Sequence, residues 1–202
     1  MQKLGFNIVL LGMITSGKET QANILKKKYA LKFVETGVYS RKLLKEKSEN
    51  GNKARQTVGK GLPLPTILLQ KFLIQEIKNK PKNKDLLFLG GPRLKPEAQL
   101  LNKMLKEKKQ DFLSFYVNLP DKEVYLRSRK RRTGDMKEIY KILDDEKIIK
   151  SRINYTKKQV SKTVKYFQGL GKLKIINGKQ SISKVTKDIL KVIKGYKLKT
   201  RS

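Results

Sequence analysis

The stretch Gly12-Met13-Ile14-Thr15-Ser16-Gly17-Lys18-Glu19-Thr20 follows the apolar run at residues 6–11 and precedes a helical pattern. In this order of strand, glycine-bounded loop and helix, the spacing G-x-x-x-x-G-K predicts a phosphate-binding loop. The two glycines allow backbone N–H groups to converge on an anion, and the helix that follows adds the positive end of its dipole. Lys18 adds an ammonium group. We therefore expect a nucleotide phosphate to bind here.

The residue after Lys18 departs from the usual form of this loop. That position is usually Ser or Thr, whose hydroxyl binds Mg²⁺, but here it is Glu19, and the hydroxyl is displaced to Thr20. A carboxylate beside a triphosphate either helps to hold the metal or repels the phosphates. Both interpretations stay open, so no residue is assigned as a metal ligand, although Glu19 and Thr20 are placed near Mg²⁺. The plainer alternative for the whole stretch is a strand-to-helix turn with a surface lysine.

The composition excludes several kinds of chemistry. The 202-residue chain contains neither cysteine nor histidine, which excludes disulfides, thiolate zinc sites, cysteine nucleophiles and imidazole acid–base catalysis. It has no apolar run of roughly 18 residues and no signal-peptide pattern at its start. The sequence therefore predicts a soluble cytoplasmic protein without a membrane partner, whose reactions depend on carboxylates, Lys, Arg, hydroxyls and a metal brought in with substrate.

The net charge of +32 admits two interpretations. A field of that strength attracts polyanions such as RNA, whereas lysines dispersed along the chain are also typical of a solvated surface. Only nine of the 49 basic residues are arginine. Because arginine binds phosphate through two parallel hydrogen bonds and lysine does not, the few arginines are the better candidates for phosphate recognition.

Apolar runs alternate with helical patterns, which predicts an α/β fold with a parallel sheet. The predicted strands cover residues 6–11, 31–34, 85–89, 112–119 and 173–176. The predicted helices cover residues 19–29, 38–47, a short segment after the turn at 48–52, 66–78, 96–106, 121–132, a long segment from 144, and 185–193, before a basic tail expected to fray. Ligands bind at the carboxyl ends of parallel strands, and the loops there contain Lys18, Thr36, Arg93 and Gly178.

From about residue 6 to 193 the chain resembles the adenylate kinases, within the nucleoside monophosphate kinases. Residues 12–20 resemble that family's G-x-P-G-x-G-K-G-T loop, and residues 36–41 resemble its S-T-G-D-x-x-R motif. Residues 90–93 are similar to D-G-F-P-R. The resemblance implies a P-loop three-layer fold of one domain, residues 1–202, with a central five-stranded parallel sheet. It also implies a small helical insert that binds the nucleoside monophosphate, at about residues 37–65, and a short lid at about 132–143.

The resemblance also implies a set of site residues. It assigns ATP binding to Gly12, Ser16, Gly17, Lys18, Glu19, Thr20 and Arg127, with Mg²⁺ carried on the nucleotide. It assigns AMP binding to Thr36, Gly37, Arg41, Leu64, Arg93 and Glu97. The residues implied in catalysis are Lys18, Arg93, Arg131, Asp144 and Arg152. Transfer of a phosphoryl group between two nucleotides requires dense positive charge around that group, which five arginines and Lys18 would supply.

Some positions depart from the family pattern around the metal and the base. Leu89 stands for the aspartate of D-G-F-P-R, Val38 for the aspartate after the Thr-Gly pair, and Glu97 for the glutamine that meets the AMP base. Thr15 replaces a glycine of the loop. Two hypotheses follow: an enzyme that catalyses 2 ADP ⇌ ATP + AMP, or a weakened or inactive kinase fold that serves as a basic RNA- or ribosome-associated protein. The sequence leaves the choice of nucleoside monophosphate and the oligomeric state open.

Overall fold

The protein is built on one parallel sheet. The computed structural model describes residues 1–132 and 145–199, except the side chain of Lys199. Its five strands lie in the order β2-β3-β1-β4-β5, with every pairing parallel. They are β1 Asn7–Gly12, β2 Leu31–Glu35, β3 Asp85–Leu89, β4 Phe112–Asn118 and β5 Leu173–Asn177. The parallel sheet confirms the predicted α/β fold. The strands could be predicted because a continuous apolar run indicates a strand that is buried on both faces.

The helices follow the strands as the patterns predict. They are α1 Lys18–Lys28, α2 Thr36–Lys45, α3 Glu49–Val58, α4 Thr66–Lys78, α5 Lys95–Glu107, α6 Asp121–Arg132, α7 Glu146–Tyr155, α8 Ser161–Gly169 and α9 Ile182–Lys199. A π-helical turn, Thr156–Val160, joins α7 to α8. None of the helices in the described ranges has both the length and the apolarity needed to cross a bilayer.

The last helix corrects one expectation, because it does not fray after residue 193 but continues to Lys199. Two contacts of Tyr196 explain the extension. Its ring packs edge-on against Phe6, with 4.9 Å between the centroids, and its hydroxyl donates to Asp111 Oδ2 at 2.6 Å. Neither partner is near Tyr196 in sequence, so the local pattern did not reveal them.

Helices cover both faces of the sheet, which gives the predicted three layers. Side chains of β1 alternate between the faces: Val9 and Leu11 pack with α2–α5 and α8, whereas Ile8 and Leu10 pack with α1 and α9. A third apolar cluster joins the loop after β1 to α6 and α7. This cluster fixes the two helices that carry Arg131 and Arg152 against the loop that leads into Lys18.

A buried carboxylate attaches the start of the chain to the sheet. Asp85 is 3% exposed and accepts hydrogen bonds from the backbone N–H groups of Leu4 and Gly5, at 2.8 and 3.0 Å. The ammonium of Lys80 lies 3.7 Å away. Hydrogen bonds to a charged acceptor contribute more than neutral ones, and their loss leaves two N–H groups without an acceptor.

We expect Asp85→Ala to lower the free energy of unfolding by roughly 2–4 kcal/mol. Glu107→Gln is the matched control, because its carboxylate is exposed and lies 4.0 Å from Lys103, and a change below about 0.5 kcal/mol is expected there. Urea denaturation with an unchanged m-value measures both. Equal stability of the two variants would contradict the proposed role of Asp85.

Candidate functional site

The loop after β1 has the geometry of an anion-binding loop. Gly17 adopts φ 81°, which side chains rarely allow, and immediately precedes α1. A Cβ on Gly12 would lie 2.6 Å from the Val117 carbonyl oxygen, so this position also requires glycine. The loop is held to β4 by a hydrogen bond from Met13 N–H to the Val117 carbonyl at 3.2 Å. After Gly17 the loop continues directly into α1, a helix of 11 residues. The N-terminus of a helix stabilises a bound anion.

Thr15 carries strain in this loop. It adopts φ 57°, a left-handed conformation that costs a β-branched residue about 1–2 kcal/mol. Its hydroxyl donates to the Ile14 carbonyl at 2.6 Å. Thr15 replaces a glycine of the family's loop, and its left-handed φ shows how the replacement restricts the backbone.

Lys18 is the first residue of α1, and its side chain folds back over the loop. The ammonium donates to the Met13 carbonyl at 3.2 Å. The pKa of Lys18 is lowered from 10.5 to about 8. Burial is the largest cause, Glu19 opposes the change, and the positive charges of Arg93, Arg152 and Arg131 contribute to it. The side chain is thus placed beside other cations, where a bound anion would raise its pKa again.

The loop after β3 meets both neighbouring strands. Its Gly90 N–H donates to the Leu10 carbonyl at 3.0 Å. A Cβ on Gly90 would lie 3.6 Å from Thr36 Oγ1 and 3.8 Å from both Arg93 Nη2 and Lys18 Cε. Residues that follow β1, β2 and β3 therefore converge at one point of the sheet edge, as expected for parallel strands.

Three adjoining cavities open above this point and share the side chains of Arg93 and Arg152. Their volumes are about 40, 70 and 60 Å³, and we refer to them together as the cleft. The central cavity is lined by Ile14, Thr15, Lys18, Glu19, Glu35, Gly37, Val38, Arg41, Leu89, Gly90, Arg93, Arg131 and Arg152. Lys18 and four of the five arginines implied by the resemblance thus line one cavity. Such a concentration of positive charge favours binding of a polyphosphate.

One wall of the cleft comes from the segment between β2 and α4. Its lining there includes Gly37, Ser40, Arg41, Val58, Gly61, Leu62 and Leu64. The segment contacts α7, because a Cβ on Gly61 would lie 3.2 Å from Arg152 Cγ, and Ser151 donates to the Lys60 carbonyl at 3.4 Å. Val58, Leu62 and Leu64 give this wall an apolar part beside Arg41, and we call it the apolar wall. A nucleotide base next to its phosphate requires such an arrangement.

Several residues implied on the ATP side lie away from the cavities. Arg127 forms an ion pair with Glu123 on its own helix, at 2.6 Å. Thr20 is exposed, and Ser16 is buried with no hydrogen-bond partner for its hydroxyl among the described residues. Asp144 and most of the expected lid lie outside the described residues. The structure thus brings Gly12, Lys18 and Glu19 to the cleft but not Arg127 or Thr20.

The side chains of two residues implied in AMP binding form hydrogen bonds to the protein backbone and do not line the cavities. The Thr36 hydroxyl donates to the Leu89 carbonyl at 3.2 Å. Glu97 is fully buried and accepts from the backbone N–H groups of Arg93 and Leu94, at 2.8 and 3.0 Å, which caps α5. Burial raises the pKa of Glu97, whereas these hydrogen bonds and the Arg93 charge oppose the rise.

Some cleft residues were not identified from the sequence, notably Glu35 and Tyr155. Glu35 directly follows the strand predicted at residues 31–34, which was an available signal. Tyr155 had no such signal, because it reaches the cleft from α7. Burial raises the pKa of Tyr155, Arg93 opposes this effect and Glu97 adds to it. These two opposite charges therefore lie close to the phenol.

A wider apolar groove, about 1030 Å³ in volume, lies between α1 and α9, with Ile24, Ile182 and Leu190 among its lining residues. It does not include the loop at residues 12–17 or any of the arginines of the cleft. We therefore place the candidate site in the smaller cleft.

Comparison with known proteins agrees with this placement. The sequence model of the family described as adenylate kinase matches residues 10–172. The chain is 32% identical to an adenylate kinase of Bacteroides fragilis over 188 residues, covering 93% of this chain and 97% of that protein. It is 31% identical to an adenylate kinase of Parabacteroides distasonis, with 95% and 99% covered, and 28% identical to one of Acetivibrio thermocellus, with 95% and 99% covered. With a phosphate-binding loop, a five-stranded parallel sheet and this match over most of its length, the chain belongs to the adenylate kinase family.

Proposed function

We propose that the protein is a nucleoside monophosphate kinase that catalyses reversible phosphoryl transfer from ATP to AMP, 2 ADP ⇌ ATP + AMP. One observation carries the proposal: Lys18 and arginines from four different parts of the fold line a single cavity beside a phosphate-binding loop. Phosphoryl transfer needs little covalent participation by the protein, but it needs positive charge fixed around the transferred group. The names of the relatives support the same activity.

The positions of the cations suggest how they divide the work. Lys18 and the loop N–H groups would bind the phosphates of the donor. Arg41 and Arg93, which also line the cavity beside the apolar wall, would hold the acceptor phosphate. Arg131 and Arg152 enter the central cavity from α6 and α7 and would stabilise the charge that spreads in the transition state.

The segment at about residues 37–65 is proposed as the acceptor-binding insert, since its helices α2 and α3 pack together between β2 and α4. The short lid at about 132–143 stays a prediction, because only its first residue, at the end of α6, is described. The single-domain organisation and the cytoplasmic location stay predictions as well.

Mg²⁺ that arrives with ATP would bind in the central cavity of the cleft. Two carboxylates, those of Glu19 and Glu35, line the central cavity. Because no three acidic groups come together in the described part of the chain, the remaining ligands would be phosphate oxygens and water, as is common for this ion. When bound, Mg²⁺ neutralises charge on the phosphates.

Binding of a bisubstrate dinucleotide, two adenosines joined by five phosphates, tests the proposed site. A ligand that binds only the folded state stabilises it by about 4 kcal/mol at 1,000 times its Kd. We expect the melting temperature of the wild-type protein to rise by the amount that corresponds to this stabilisation. The rise in Arg152→Ala should be much smaller. Absence of stabilisation in the wild type would contradict the proposed function.

The RNA- or ribosome-bound alternative gains no support from the relatives, and the net charge of +32 is its main basis. Its test is independent of the cleft: RNA binding should weaken steeply with salt and survive Arg152→Ala. Weak or salt-independent binding at physiological ionic strength would exclude it.

The lowered pKa of Lys18 predicts that nucleotide binding takes up protons. With a pKa of about 8, roughly three quarters of the Lys18 side chains are neutral at pH 8.5. Bound phosphates favour the ammonium form and raise its pKa, so binding at pH 8.5 should take up about 0.7 of a proton, and binding at pH 7 about 0.1. Calorimetry in two buffers with different heats of protonation measures this uptake. Lys18→Met should abolish it, and equal uptake in that variant would assign the titration to another group.

A further inference from the structure

Two carboxylates line a cavity that otherwise carries five cations. Glu19 lies in the first turn of α1, and Glu35 is the last residue of β2. They approach the cavity from different elements, so their presence there is not the consequence of a single acidic segment.

The sheet register places Glu35 beside the residue that lacks a carboxylate. Glu35 of β2 pairs with Leu89 of β3, and paired residues on neighbouring parallel strands lie about 4.8 Å apart with side chains on the same face. Leu89 is apolar, 6% exposed and lines the same cavity. At this point of the sheet edge, the negative charge is therefore carried by β2 instead of β3.

In the described part of the chain, neither carboxylate forms an ion pair with the cations that line the cavity. Within residues 1–132 and 145–199, no hydrogen bond or ion pair involves the side chain of Glu19 or Glu35. Glu19 nevertheless acts on Lys18, because its charge opposes the fall in the Lys18 pKa. Carboxylates that face a polyphosphate site without protein partners would repel the phosphates unless a cation lay between them.

We propose that Glu35, with Glu19, holds the divalent cation that accompanies the nucleotide phosphates, so that β2 supplies the carboxylate that position 89 lacks. The proposal rests on the proposed function, since it requires a nucleotide in the cleft. It resolves the two interpretations of Glu19 in favour of metal binding. It also explains how a kinase can function with leucine at position 89.

Binding of Mn²⁺, a paramagnetic substitute for Mg²⁺, tests the proposal without relying on turnover. Mn²⁺ is titrated into wild-type protein saturated with the bisubstrate dinucleotide, and electron paramagnetic resonance measures the free ion. We expect Glu35→Gln to raise the Mn²⁺ Kd about tenfold, the effect typical of a residue that supports a bound metal, and Glu19→Gln Glu35→Gln to raise it further. Glu107→Gln, an exposed charge on α5, is the control and should leave the Kd within twofold, an estimate for a screened distant charge.

A second variant tests the exchange of positions. Adding Leu89→Asp to Glu35→Gln should return the Mn²⁺ Kd to within about threefold of wild type, since it moves the carboxylate to the paired residue about 4.8 Å away. An unchanged Kd in both Glu35→Gln and the double glutamine variant would overturn the proposal. If Glu35→Gln raises the Kd and Leu89→Asp does not lower it again, a carboxylate at position 89 cannot replace the one at position 35.

Dinucleotide affinity in EDTA separates this proposal from the proposed function. Glu35→Gln removes a negative charge near the phosphates, so its affinity without metal should equal or exceed that of the wild type. If wild-type protein fails to bind the dinucleotide, the proposed function fails. If wild-type protein binds the dinucleotide but Glu35→Gln leaves the Mn²⁺ Kd unchanged, only the metal proposal fails.

Discussion

Lys18→Met is expected to reduce turnover in 2 ADP ⇌ ATP + AMP by at least about 10²–10³-fold, the usual effect of removing one group that stabilises transition-state charge. Methionine keeps the length and apolar stem of lysine but lacks the ammonium. That ammonium contacts the Met13 carbonyl of the loop and lines the central cavity. Its loss removes a positive charge that we propose binds the donor phosphates.

The Lys18 variant should fold at least as well as the wild type. A pKa lowered to about 8 means that the folded state disfavours the charged form of Lys18. The unfolded state binds more protons between pH 8 and 10.5, so the charged side chain contributes instability that is present below pH 8 and disappears as the pH rises. Lys27→Met, an exposed lysine on the same helix, is the control and should retain full turnover. Full turnover in a folded Lys18→Met protein would remove Lys18 from the mechanism.

Arg93→Ala is expected to lower kcat/KM for AMP by about 10³-fold and Arg93→Lys by about 10²-fold, magnitudes typical for loss of an electrostatic contact to the transferring group. Arg93 lines all three cavities of the cleft. Its Nε donates to the Gly90 carbonyl at 2.7 Å, which orients the guanidinium and leaves its outer nitrogens for phosphate. Lysine keeps the charge but cannot bind phosphate through two parallel hydrogen bonds.

Steady-state kinetics with AMP and ATP varied separately measures the Arg93 effect. We expect a larger change in KM for AMP than in KM for ATP, because Arg93 also lines the cavity beside the apolar wall. Arg129→Lys is the matched control, an exposed arginine on α6 outside the lining of the cleft. Equal kinetics of Arg93→Ala and the control would show that the acceptor phosphate binds elsewhere.

Most of the fold could be predicted from local pattern. Strand β3 was predicted with the bounds that the structure has, because the four apolar residues after Asp85 form a distinctive run. The extension of α9 to Lys199 was not predicted, since it depends on contacts of Tyr196 with Phe6 and Asp111. Tertiary contacts of this kind override local composition.

The cations of the site were predictable and their surroundings were not. Lys18 and Arg93 follow from the loops that the parallel sheet brings to one edge, whereas Arg41, Arg131 and Arg152 were implied by the resemblance to the adenylate kinases. The distinct roles of Glu97, which caps α5, and Thr36, which bonds the Leu89 carbonyl, depend on side-chain direction. The end of a predicted strand could have drawn attention to Glu35, but its proposed role depends on its pairing with Leu89 across two strands, a relation that no local spacing contains.

Conversion of ADP followed by ³¹P NMR tests the central proposal most directly. Nuclease-treated protein is incubated with ADP and Mg²⁺, and the nucleotide phosphorus signals are recorded over time. We predict that ATP and AMP appear in equal amounts until equilibrium and that EDTA stops the reaction. A folded sample that binds the bisubstrate dinucleotide but leaves ADP unchanged would contradict the proposed activity.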